Sequence, residues 1–237
     1  MIVMAVSIFL ALTIAAPVAL GQVEQSSKAS GTTEELVTAW WQWALSKPFE
    51  DNPLFGGDLT YTEQQCDGTP LPDTVDDTWF LAGTFDGSEA VRTCTVPDDT
   101  TLFFPAFNVG VIRDPADPGD TEAHLFDQAH GYVDAALADP KFSMVVTVDG
   151  NAVPKGKIRR AEAGLFSGES PLLSEDGTTP VSYQAVTDGK WVTLPPLSAG
   201  EHTIAWKASA PNADTDPFKE GVQPFSTQDI TYHLTVG

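Results

Sequence analysis

WFLAGTFDGSEAVRTCTVPDDTTLFFPAFN, residues Trp79–Asn108, is the stretch that decides the fold. Runs rich in aromatic and β-branched residues are separated by turn-forming ones, the pattern of consecutive strands. Leu102, Phe103, Phe104 and Phe107 leave no strict alternation, which predicts a strand buried on both faces. Pro97–Thr100 is a short polar connection, so Arg92–Val96 and Thr101–Phe107 are expected to pair as a hairpin.

The strand pattern continues toward the C-terminus. Phe142, Met144, Val146 and Val148 alternate with Ser143, Val145 and Thr147, and Asp149-Gly150 then predicts a tight turn with Ala152-Val153 returning. Lys157–Arg160 is the one basic cluster. Ala161–Phe166, Trp191–Leu194, His202–Ala208 and Asp229–Val236 read as further strands, the last with Ile230, Tyr232, Leu234 and Val236 on one face. Ser167–Pro180 and Ser209–Ser226 read as loops.

Two segments have helical spacing instead. Thr32 followed by Glu35 makes a capping box, Leu36, Trp40 and Trp43 form one stripe, and Pro48 stops the helix. Trp41 lies off that stripe and is the candidate for stacking on a ligand such as a glycan. Thr121–Ala138 is the second helix, with Leu125, Ala129, Val133, Ala136 and Leu137 on one side and Asp139-Pro140 ending it. The expected fold is therefore mainly β: an antiparallel β-sandwich, jelly-roll or immunoglobulin-like, with an N-terminal helix and one inserted helix.

Residues 1–21 carry no charged side chain and end in Ala19-Leu20-Gly21, which predicts a secretory signal peptide, although no Lys or Arg precedes the apolar run. Left uncleaved, that run is long enough to anchor the chain in a membrane. Residues 22–31 read as a flexible leader and 32–237 as a single domain. The two cysteines, Cys66 and Cys94, fit one disulfide in an exported protein, worth roughly 3–4 kcal/mol by loop entropy.

The formal charge is −21, with 33 acidic residues against 12 Lys and Arg. Nucleic acid and anionic lipid both need a positive face, so neither is an expected partner. The acidity itself has two readings: solubility in a salty habitat, or binding of calcium. Asp114, Asp117, Asp120 and Glu122, in a Pro/Gly-rich loop, are the candidate calcium ligands, though not at EF-hand spacing. His124, Asp127 and His130 on the second helix are the candidate catalytic or metal-binding set, Asp127 and His130 being three residues apart on one face. His202 and His233 lie on the last two strands, where they could meet, but His233 is out of phase with Tyr232's face and is expected to point to solvent. No nucleophile elbow, P-loop or dinucleotide fingerprint occurs, and nothing singles out a carboxylate pair for glycoside hydrolysis.

WWQWALSKP followed by NPLF, WFLAGTF followed by RTCTVP, LFFPAFN, and LPPLSAGEHTI followed by ITYHLTV together resemble a family of uncharacterised secreted microbial proteins. The resemblance spans most of the chain after residue 21. It implies export, a Cys66–Cys94 link and one domain, and it implies no reaction. The segment GTPLPDTVDDT, between Cys66 and Trp79, is longer and more acidic than that pattern. The expected function is a secreted, non-catalytic protein that binds an extracellular ligand at the cell surface or in the matrix, with calcium as the candidate stabilising ion. The alternative is a secreted hydrolase or metal-dependent enzyme built on His124, Asp127 and His130.

Overall fold

A computed structural model describes residues 31–55, 66–85, 87–210 and 227–237. The expected signal peptide, most of the leader and most of the segment 209–226 lie outside the described residues. Among the described residues nine strands form two sheets, and two α-helices accompany them. The first sheet has the order β1 (Thr78–Phe80), β3 (Thr101–Ile112), β7 (Val181–Leu194), β6 (Ile158–Ser170). The second has the order β2 (Glu89–Val96), β9 (Thr227–Val236), β8 (Gly200–Ser209), β4 (Ser143–Val148), β5 (Asn151–Ala152). The mainly β sandwich with two helices is thus the observed architecture. Two of its strand pairs, β1 with β3 and β2 with β9, run parallel.

β3 is the shared wall of every core cluster. Its outward Phe103 stacks on Trp191 beneath the first helix, α1 (Thr33–Ser46), with ring centroids 5.3 Å apart. Its inward Leu102 and Phe104 pack against Ile204, Trp206, Ile230 and Leu234 of the second sheet. A register shift between Pro105 and Phe107 follows. Beyond it Phe107, Val109 and Val111 pack under the second helix, α2 (Glu122–Ala138), with Ala208 of the second sheet in the same cluster. This is the strand buried on both faces that the Leu102–Phe107 run predicts.

The expected Arg92–Val96/Thr101–Phe107 hairpin does not form. β2 belongs to the second sheet, paired with β9, while β3 belongs to the first, paired with β1 and β7. The Pro97–Thr100 turn, with Asp99 at φ 60°, carries the chain between sheets instead. A turn signal fixes a reversal of direction, not which sheet receives the next strand. The Asp149-Gly150 turn behaves as expected: both residues have positive φ, and Thr147 and Val148 pair with Ala152 and Asn151. β6 and β7 are much longer than the short apolar runs that announced them, because polar stretches such as Ser167–Ser170 extend the ladder.

α1 begins with the expected capping box, Thr32 accepting from the Glu35 N–H while Glu35 accepts from the Thr32 N–H. The helix is buried on more than one face, because the first sheet lies on one side and segments 49–55 and 66–85 wrap the other. Each indole N–H finds an acceptor: Trp40 at the Leu81 carbonyl, Trp43 at the Asp67 carbonyl and Trp41 at Thr187 Oγ1.

Candidate functional site

Cys66 and Cys94 are bonded, tying the segment after residue 66 to β2. Trp41, the candidate for ligand stacking, is 6% exposed and donates its indole N–H to Thr187 Oγ1. Its ring lies on β3 so closely that a Cβ at Gly110 would come within 2.6 Å of it. The bare backbone at Gly110 leaves the room that the Trp41 ring occupies.

The acidic loop does not gather its carboxylates. Asp114 Oδ1 accepts the Ala116 N–H, Asp117 Oδ1 the Gly119 N–H and Asp120 Oδ2 the Asp114 N–H, at 2.8, 2.7 and 2.8 Å. Glu122 turns away to the Leu165 N–H. No three of the four bring ligand atoms within 4.8 Å of one another.

The helix trio is also not assembled. His124 pairs with Gln128, one turn on, and Asp127 is exposed without a hydrogen bond or ion pair among the described residues. His130 turns to the first sheet, its Nε2 lying 2.8 Å from Glu162 on β6 and 4.0 Å from the buried Asp188 on β7. These three are the one group of three or more potential ligands that converges among the described residues. Arg160 already holds Asp188, with Nε 3.1 and 3.0 Å from its two oxygens, and reaches Asp134 on α2 with Nη1. The Asp188 carboxylate holds the Arg160 guanidinium above its ordinary range. The result is a charged seam that fastens α2 to the sheet. A divalent ion there would have to share Asp188 with a guanidinium.

His202 and His233 do not meet. His202 Nδ1 sits 2.8 Å from Asp149 Oδ2 and its Nε2 2.9 Å from the Ser198 carbonyl, while His233 lies beside Thr203. The hydrogen bond to Asp149 raises the His202 pKa, and the Thr203 N–H together with His202 lowers that of Asp149.

Arg92 is a structural residue that the strand pattern conceals. It is 1% exposed, in register with Ala90, Cys94 and Val96 on the buried face of β2. Its guanidinium donates to the carbonyls of Pro53, Ala82 and Gly83 and to the Tyr232 hydroxyl. A charged residue at a buried period-2 position was the available signal.

The sandwich is open where the edge strand β6 faces β4 and β5. A cleft of about 550 Å³ lies there, lined by Met144, Val145, Val146, Val153, Ile158 and the edge residues Ala152 and Pro154, with Lys155 and Lys190 as its charged groups. Lys190 shares the inward face of β7 with Val192, so its half-buried stem runs along the cleft wall. No carboxylate lines the cleft.

No family model and no curated protein matches the chain. Among solved structures it overlaps a cysteine protease inhibitor from Entamoeba histolytica, at 11% identity over 67% of this chain and 93% of that one, with a TM-score of 0.20. It overlaps PbICP-C, solved in complex with falcipain-2, at 8% identity over 67% and 98%, with a TM-score of 0.25. Amebosin overlaps at 11% identity over 67% and 96%, with a TM-score of 0.21. Overlaps at that level carry no argument about fold or function.

Proposed function

We propose that this is a secreted, non-catalytic binding protein whose site is the edge cleft between the two sheets. The observation that supports the reading is the cleft itself: an apolar opening with two cationic groups, of the size that small-molecule sites have. The disulfide is compatible with export, and no described helix is long and apolar enough to cross a membrane. Of the side chains considered for catalysis, His130 is engaged in the seam that fastens α2 and His124 pairs with Gln128.

The test is a thermal-shift screen of the purified protein against extracellular small molecules, run beside a panel of hydrolase substrates. A saturable rise in melting temperature is expected, lost in Val153→Trp, which fills the cleft from a half-buried lining position. Turnover of any substrate that disappears in His130→Ala would overturn the reading in favour of an enzyme.

A further inference from the structure

The cleft has the opposite charge from the molecule around it. Lys155 and Lys190 are its two charged lining groups, and no carboxylate lines it. Neither lysine is in an ion pair among the described residues. In a chain with 33 carboxylates, two cations left without one at a single place is a marked segregation. Lys190 stands out further because it is half-buried against apolar side chains, where an ammonium gains most from a counter-charge.

We propose that the cleft takes an amphipathic monoanion, a medium-chain carboxylate, with its head between Lys190 and Lys155 and its alkyl chain between Met144, Val146 and Ile158. This rests on the reading of the cleft as the binding site. The charge pattern selects the class. A polyanion would be repelled by the −21 charge of the whole chain. A small monoanion feels mainly the groups within a Debye length, about 8 Å at physiological ionic strength. A neutral apolar ligand would cover Lys190 and leave its charge without a partner. Packed sheets stand about 10 Å apart, which leaves room for a linear chain where one sheet edge gapes.

The test is isothermal titration of the full protein with decanoate, octanoate and decanol below their aggregation concentrations. Decanoate is expected to bind about tenfold or more tighter than octanoate, because each buried methylene tightens binding about fourfold. It should also bind at least tenfold tighter than decanol and weaken as sodium chloride is raised. Lys190→Met and Lys155→Met, the latter at an exposed position, should each narrow the difference between decanoate and decanol, and the double variant should remove it. Val153→Trp should abolish binding of both. Equal affinity of decanoate and decanol in the wild type would overturn the anion assignment and leave the cleft reading standing. Binding by neither, or decanoate binding that survives Val153→Trp, would overturn the proposal, and the broad screen then decides separately whether the cleft binds anything.

Discussion

The guanidinium of Arg160 and the carboxylate of Asp188 meet along one edge, and Asp188 has no exposed surface at all. Removing Arg160 would leave that carboxylate buried and unpaired. Arg160→Met is therefore expected to cost about 3 kcal/mol, at the lower end for a broken buried pair because His130 remains nearby and Arg160 is partly solvated. Asp134→Asn, on the exposed side of the same arginine, should cost less than about 1 kcal/mol. Urea unfolding separates the two, and equal losses would mean that the seam does not depend on Asp188.

The three tryptophans of α1 give a second prediction. Trp40→Ala, Trp41→Ala and Trp43→Ala should each cost about 3–5 kcal/mol, since all three are buried and each indole donates a hydrogen bond. Gly110→Ala should also destabilise, by pushing the Trp41 ring from its seat. A small loss at Trp41 alone would restore it as a surface residue.

Reduction of Cys66–Cys94 frees a loop of sequence separation 28. The expected cost is roughly 3–4 kcal/mol, measured as the urea midpoint with and without reductant. Cys66→Ser with Cys94→Ser should reproduce it. An unchanged midpoint would show that the packing around Cys94 holds the segment without the bond.

His202 and Asp149 should titrate as a linked pair. The folded-state pKa of His202 lies above its ordinary value, so its contribution is fully present below about pH 6.5 and fades as pH rises through the folded value. Asp149 is shifted down, so its contribution is present above about pH 4 and is lost as pH falls through its folded value. The pair therefore stabilises most between those limits. Imidazole NMR titration should show Asp149→Asn returning His202 toward its ordinary pKa. No change would mean that the Ser198 carbonyl alone accounts for the shift.

The elements were legible because they are written in local pattern. The capping box at Thr32, the Asp149-Gly150 turn and the alternation of Ile230, Tyr232, Leu234 and Val236 each carry their structure within a few residues. Pairing is not local. β2 finds its partner in β9 at the far end of the chain, so the Pro97–Thr100 turn could only suggest a hairpin. The same holds for side-chain clusters. Asp127 and His130 are neighbours in sequence, yet His130 pairs with Glu162, which lies 32 residues away. The cleft was not legible: Lys157–Arg160 reads as a basic cluster, yet only its Ile158 lines the opening, and Lys190 comes beside Arg160 only through the β6–β7 ladder.

The central claim is that the edge cleft is the ligand site, and methyl NMR during titration with decanoate tests it most directly. The account predicts saturable shifts at Met144, Val146 and Ile158, with the methyls of Leu125 and Val133 on the buried face of α2 unmoved. Shifts confined to α2, or none at the cleft while decanoate binds, would contradict it.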